Sequence, residues 1–346
     1  MAPLFLLVGI DTEGDNQWDL HARGHQTFEN IYALPSLHAL FARHGVRPTY
    51  MVTYPVARDL RSADILRSLR QDHDCEIGAH HHAWETPPCA PEDVGRHPYV
   101  LSLPREQFEQ QLAHLTSAIG AAVGDKPVSY RSGRFGFSAD HVSALERAGY
   151  RVESSIAPLF FEGHKAGPDF VGAPLNPYFL AYDDACARGS SDVLEIPVSA
   201  ALNRRVPSWL ERAYARAPRP YDTKRVLRKL GIARMLWLRP SYSSLQDMKS
   251  LARRIKDTGG SVLNVIFHSS EAIVGGSPYN RTASELQSFL DRLDAFLAFA
   301  VTELAATPAT FSEFRSRFCS PRSKAAPSSQ VTESLPAVAT PQDAAG

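Results

Sequence analysis

The sequence predicts an α/β fold built on a parallel sheet that curls into a closed or partly closed barrel. Three observations predict it. Apolar, strand-like runs alternate with amphipathic, helix-like runs about seven times. The chain has 346 residues, long for an ordinary domain but normal for a single α/β barrel. No Gly-rich dinucleotide or P-loop fingerprint follows any strand, which argues against a nucleotide-binding doubly wound sheet.

The elements follow in order. Leu4–Ile10 reads as a buried strand. Ser36–His44 reads as a short helix stopped by Gly45. Pro48–Thr53 is strand-like. Val56–Arg70 reads as a helix with Leu60, Ile65, Leu66 and Leu69 on one face. Cys75–Ala79 is a short buried strand, and Arg105–Val123 a helix with Pro104 suited to its first turn. Val128–Arg131 is strand-like, and Ser138 caps a helix ending at Ala148 before Gly149. Tyr150–Glu153, Val193–Val198 and Val262–Phe267 complete the longer strands. Thr282-Ala-Ser-Glu285 is a capping box for a helix carrying Leu286, Phe289, Leu293, Phe296 and Leu297. A last short strand is expected near Ala309–Phe311.

Composition limits the function classes. Lys+Arg and Asp+Glu balance at 37 each, so no global charge calls for nucleic acid or an anionic membrane. The cysteines Cys75, Cys89, Cys186 and Cys319 lack C-x-x-C spacing and read as incidental thiols. The start of the chain shows no basic region or small-residue cleavage site, and no apolar run spans a bilayer, so the expected compartment is the cytoplasm.

Two segments break the rhythm. Residues 201–245 hold many basic groups, from Arg204 to Lys229, opposed in that stretch by Glu211 and Asp222. This reads as a helical insertion in a barrel of residues 1–319. Its basic face is either simply solvated or a patch for an anionic glycan or membrane surface. Residues 320–346, rich in Ala, Pro, Ser and Thr, read as a disordered tail.

Four strand ends carry chemistry. Val8-Gly-Ile-Asp11-Thr-Glu13-Gly-Asp15 places three carboxylates within five residues, and Asp11 and Glu13 share a face on extended backbone. Such a pair is costly unless a cation or donors compensate it. Glu76-Ile-Gly-Ala-His80-His81-His82-Ala-Trp84 ends a second strand in histidines, of which His80 and His82 share a face. A histidine pair with a carboxylate is an ordinary ligand set for zinc or a similar divalent ion. Tyr130-Arg131-Ser-Gly-Arg134-Phe supplies arginines that can orient a catalytic carboxylate or bind substrate. Asn264-Val-Ile-Phe-His268-Ser-Ser-Glu271 delivers a histidine suited to general acid work, with Glu271 placed to hold its tautomer.

The order of these segments resembles the polysaccharide deacetylase family, also called the NodB-homology family or carbohydrate esterase family 4. Asp11-Thr-Glu13 is similar to its first motif, Asp-x-Asp/Glu. Glu76-Ile-Gly-Ala-His80 matches the start of its second. Arg131-Ser-Gly-Arg134-Phe resembles its third, and Phe267-His268-Ser its late histidine strand. The likeness spans roughly residues 4 to 315. It implies a distorted (β/α)7 barrel and a metal-dependent hydrolase that removes N-acetyl or other acyl groups from a carbohydrate, in surface polysaccharide or lipopolysaccharide biosynthesis. It further implies Asp11 as general base, His268 as general acid, Arg131 orienting the base, and Glu13 and His80 as ligands of a divalent ion. Zinc suits such ligands, with cobalt, nickel and manganese open.

The second histidine of the family's second motif lies four residues after the first, and here that position is Trp84. His82 is therefore expected as the third ligand, with His81 the alternative if the strand has turned. Trp84 would then wall the sugar site, with Arg134 beside it. Glu153 lies near the place where the family has an acidic partner for the Arg131 region. Two other readings remain: a hydrolase of a small amide or ester, and a non-catalytic sugar-binding homologue. Neither oligomeric state nor the glycan is legible.

Overall fold

A computed structural model describes residues 3–90, 98–163, 167–217, 226–227 and 233–320. Of the tail expected over 320–346, residues 321–346 lie outside these residues, as do Arg219, Lys224, Arg225, Arg228 and Lys229 of the basic segment. Eleven strands form among the described residues: β1 Phe5–Thr12, β2 Thr49–Val52, β3 Glu76–His81, β4 Ser129–Ser132, β5 Val152–Glu153, β6 Tyr178–Phe179, β7 Leu194–Glu195, β8 Ala200–Leu202, β9 Met235–Trp237, β10 Val262–His268 and β11 Thr307–Pro308.

The main sheet runs β10-β1-β2-β3-β4-β5-β7-β6, parallel except for the antiparallel β6–β7 pair. β1 is buried along its whole length. β10 takes one edge of β1 from Phe5 to Asp11, while β11 pairs at Phe5–Leu6 and β2 pairs from Gly9 onward. After β7 the chain leaves the ladder and crosses to the far edge: the Val198 N–H donates to the Ile156 carbonyl, and the Ser199 N–H to the Asn264 carbonyl on β10. The sheet is thus curled into a half-barrel whose open side is bridged by irregular backbone. That is the NodB-type barrel in its distorted form.

Alternation along the strands sorts two layers. Leu6, Val8 and Ile10 face the large core beneath the outer helices. Phe5 and Leu7 face inward, with Met51, Val152, Leu194 and Val262. The inner cluster is plugged by Phe311 and Phe314 of the C-terminal helix Phe311–Cys319. The same parity aims Asp11 inward, above that apolar floor.

Several elements differ from expectation. The helix expected over Val56–Arg70 is two, Tyr54–Arg58 and Leu60–His73, because Asp59 leaves the helical region (φ −77°, ψ 120°) and its carboxylate accepts from the Ser62 N–H. Asp59 is an N-cap inside an otherwise continuous periodicity. The strand expected at Ala309–Phe311 is displaced to β11, and Thr310 and Glu313 form a capping box that starts the last helix there. Within 201–245 the described residues form the antiparallel β8–β9 pair and the helix Ser208–Ala215.

Candidate active site

Asp11, Glu13, His80, His82, Trp84, Arg134 and His268 line one cleft of about 430 Å³, and Arg131 lies beneath it. That volume is typical of a small-molecule pocket. The cleft opens where β1, β3, β4 and β10 end, as expected for a parallel barrel. Asp11 and His268 are register partners across β1 and β10, and His80 and Arg131 are partners across β3 and β4. Strand pairing alone brings these residues together from distant parts of the chain.

Arg131 is fully buried, and every contact holds its plane. Nη1 donates to Asp11 Oδ1 at 2.6 Å and to the Gly9 carbonyl at 3.3 Å, Nε to the Ser154 carbonyl at 2.8 Å, and Nη2 to Ser154 Oγ at 3.1 Å. Asn264 Nδ2 in turn donates to Ser154 Oγ at 3.0 Å. Burial by itself would raise the pKa of Asp11. The Arg131 guanidinium, with His80 and His268, outweighs it and holds the carboxyl well below the usual range. Asp11 is therefore an ionised base of fixed orientation. Glu153 lies near enough for the Arg131 charge to act on it, as expected, but makes no ion pair with that guanidinium. Its carboxylate accepts the Ser155 N–H at 2.9 Å and lies against Glu195, its neighbour in the β5–β7 ladder.

Glu13, His80 and His82 are buried and offer ligand atoms all within 4.8 Å of one another. His82 Nε2 lies 2.9 Å from Glu13 Oε2 and 3.1 Å from His80 Nε2. His80 Nδ1 is 3.2 Å from the Arg131 carbonyl. A carbonyl only accepts, so Nδ1 carries the proton and the His80 Nε2 lone pair faces the cluster, the tautomer a metal ligand needs. Burial lowers the pKa of His80 to about 4 and drives that of His82 well below its usual value, so both stay neutral. Two neutral imidazoles and a carboxylate converging in a buried site fit a divalent cation. His82 Nδ1 has no hydrogen-bond partner among the described residues, so its tautomer is not fixed in the same way.

His81 turns to the other face. Its Nε2 is 2.8 Å from Gln111 Oε1 on helix Arg105–Val123, and its Nδ1 3.1 Å from the Tyr130 hydroxyl. Parity decides this: Ile77 and Ala79 pack in the outer core, so His81 follows them outward while His80 and His82 face in. Asp15 also leaves the site. It accepts from Thr27 Oγ1, from the Glu29 and Asn30 N–H groups and from Asn30 Nδ2, which closes the loop after β1.

His268 Nδ1 lies 2.8 Å from Glu271 Oε1, while Nε2 faces Glu13 Oε1 at 3.5 Å and Asp11 Oδ2 at 4.0 Å. Glu271 is held by Arg239 Nη2 at 2.5 Å and by the Ser241 hydroxyl. Burial would lower the His268 pKa, but Glu13 and the hydrogen bond to Glu271 raise it above its ordinary value.

The sequence reading missed Arg239, Ser154 and three glycines. A Cβ on Gly9 would come within 2.6 Å of Arg131 Nη2, one on Gly78 within 2.6 Å of Met51 Sδ, and one on Gly133 would fall onto the His82 ring. Glycines at inward positions of strands that end in charged residues, as at Gly9 and Gly78, or in the turn just after one, as at Gly133, are the signal that could have marked these close approaches. An aromatic wall was also missed. Trp18 packs edge-on against His268 and Tyr279, with centroids at 4.9 and 5.6 Å, and Tyr242 continues the wall beyond Tyr279.

No family model matches the chain, and no curated protein matches it. Solved structures do. A structure named as a polysaccharide deacetylase from Mycobacterium smegmatis aligns over 99% of this chain and 96% of its own, at 14% identity and a TM-score of 0.57. A structure named as a glycoside hydrolase/deacetylase from Parabacteroides distasonis aligns over 91% of this chain and 71% of its own, at 15% identity and a TM-score of 0.59. An allantoinase aligns over 91% and 89%, at 11% identity and a TM-score of 0.53. At these identities the likeness is one of fold, and at that level the resemblance read from the sequence holds: the chain carries the curled parallel half-barrel of structures named as a polysaccharide deacetylase and as a glycoside hydrolase/deacetylase.

Proposed function

We propose that this protein is a metal-dependent hydrolase that removes N-acetyl, or another acyl group, from a carbohydrate. One observation carries the reading. A buried Glu13/His80/His82 cluster sits in the same cleft as an arginine-held carboxylate, Asp11, and a carboxylate-held histidine, His268. A divalent ion held by Glu13, His80 and His82, for which we propose zinc, would polarise the acyl carbonyl and make bound water more acidic.

The remaining steps belong to side chains. Asp11, ionised and oriented by Arg131, accepts a proton from the attacking water. The carbonyl carbon gains that oxygen, and the C–N bond to the sugar breaks. His268, held with Nδ1–H toward Glu271, delivers its Nε2 proton to the leaving amine. Acetate and the free amino sugar result. The wall of Trp18, Tyr279 and Tyr242 suits the apolar faces of a sugar ring, and Trp84 and Arg134 line the same cleft as further substrate contacts.

A small amide is the second substrate class, favoured by the likeness to an allantoinase. The test is metal content with acetate release from an N-acetylglucosamine oligomer, and allantoin as competitor substrate. About one divalent ion per chain, lost in His80→Ala and His82→Ala together with acetate release, supports the reading. Wild type that binds no ion after supplementation overturns it, and turnover of allantoin alone moves the substrate to the second class.

A further inference from the structure

Two arginines in the cleft have no part in the chemistry above. Arg23 lies in the helix Leu20–Gly24, with its guanidinium carbon 4.5 Å from the centroid of the Trp84 ring. Arg134 lies in the turn after β4, with its guanidinium carbon 4.8 Å from the centroid of Tyr99. Both arginines and both rings line the catalytic cleft. Arg23 Nε donates to the Gln17 carbonyl at 2.7 Å, which fixes the plane. Among the described residues, neither its Nη groups nor any nitrogen of Arg134 has a hydrogen-bond or ion-pair contact, although the charges of Glu13 and Glu85 reach Arg23. The other guanidiniums of the site are neutralised, Arg131 by Asp11 and Arg239 by Glu271. Glu162 also lines the cleft.

The backbone pays a cost to put Arg134 there. Arg134 (φ 54°) and Phe135 (φ 59°) both occupy the left-handed region, where a side chain is disfavoured, although glycines stand on either side at 133 and 136. Strain of this kind persists where surrounding structure enforces it, and it clusters at ligand sites. Arg23 and Arg134 also repel. After burial, the charge of Arg134 is the next largest influence lowering the pKa of Arg23. Stacking on Trp84 and Tyr99 fixes both guanidiniums without neutralising either. An anion placed between them would remove the repulsion and meet two preset donor forks.

We propose that Arg23 and Arg134 form an anion subsite beside the reacting centre, so that the acylated sugar taken by this cleft carries a carboxylate or a phosphate. The assignment of a sugar rests on the deacylase reading; the anion preference does not.

The test is calorimetric binding to the purified full-length protein at low salt, with three probes: N-acetylglucosamine, N-acetylglucosamine 6-phosphate and N-acetylmuramic acid. At least one acidic sugar should bind about tenfold or more tightly than the neutral one, with an advantage that shrinks as salt rises. The tighter of the two identifies the anion. Arg23→Gln and Arg134→Gln should each erode the advantage, and the double variant should abolish it. Arg134→Lys, which keeps charge but loses the fork, should fall between. Arg23 is half-buried and Arg134 exposed, and thermal unfolding of the variants checks that they fold. Equal affinity for all three sugars, or an acidic advantage that survives in the double variant, overturns the subsite. Acetate release measured in parallel separates the two ideas: a binding preference without hydrolysis by the metal-loaded protein sinks the deacylase reading and leaves the anion site standing.

Discussion

His80 and Arg131 face each other across the β3–β4 ladder, and Arg131 serves the site at both ends. Its backbone carbonyl takes the Nδ1 proton of His80 and so aims Nε2 at the Glu13/His82 cluster. Its guanidinium crosses the barrel to hold Asp11 at 2.6 Å. One strand residue thus orients both a candidate ligand and the candidate base. It can do so because backbone and side chain of an inward strand position point in different directions.

The geometry separates the adjacent histidines 81 and 82. His82→Ala should abolish binding of the divalent ion. His81→Ala should retain about one ion per chain but lose roughly 2–3 kcal/mol of stability, because it opens a buried space and leaves Gln111 Oε1 without its partner, while the Tyr130 hydroxyl keeps Ser132. Metal analysis and denaturant unfolding of the two variants check this. An ion lost from His81→Ala with stability intact would reverse the assignment.

Asp11→Asn should lower kcat by about 10² to 10⁴ while the ion stays bound. Arg131→Ala should cost about 3–5 kcal/mol, since it leaves a carboxylate buried without its partner. Combining the two should recover part of that loss. Strict additivity in the unfolding of the double variant would show that the pair is not coupled.

Gly133→Ala places a methyl group where the His82 ring lies. The ring must move, so affinity for the ion should fall by about tenfold or more, as when a ligand loses its orientation. A chelator titration measures it. Unchanged affinity would mean that His82 is free to reposition or is not a ligand.

The acid limb of catalysis should respond to Glu271. Burial opposes the charged form of His268, while Glu13 and Glu271 favour it and win. A general acid works protonated, so activity is lost as pH rises through its pKa. Glu271→Gln removes a stabilising charge, lowers that pKa and should shift the alkaline limb of kcat/KM to lower pH. A shift to higher pH, or none, would exclude His268 as the acid.

His141 offers a stability test away from the site. Its ring stacks on Phe108 at 4.1 Å, and burial lowers its pKa to about 3 from an ordinary 6.5. Below the unfolded value the unfolded chain binds the extra proton. Stability is therefore whole above about pH 6.5 and declines as pH falls toward 3, by about 1.4 kcal/mol per pH unit for one such group. His141→Phe should flatten the slope of stability against pH by about one proton. His38, lowered to about 4, and His81 act in the same direction and leave a residual slope.

Much of the fold and site was legible in the sequence, because strand parity is local. The alternation that buries Leu6, Val8 and Ile10 also turns Asp11 inward, and the run Glu76–His82 carries the same information for His80 and His82. Strand ends collect in one place in any parallel barrel, so candidate residues from residue 11 to residue 268 could be named before their contacts were known. The local code failed where a cap interrupted a periodic run, as at Asp59, and where a two- or three-residue strand left no period to read, as in β6, β8 and β9.

Tertiary structure alone decided the partners. Nothing near Arg131 in sequence announces that Ser154, rather than Glu153, takes its Nε, or that Arg239 and Ser241 brace Glu271. Nor does any local pattern bring Arg23 and Arg134 into one cleft on the faces of Trp84 and Tyr99. The sequence by itself determined which way each strand residue faces, since that depends on the two-residue repeat of extended backbone. Only the closed packing of the barrel determined what each one meets, because those distances are set by sheet curvature and by the elements that bridge its open side.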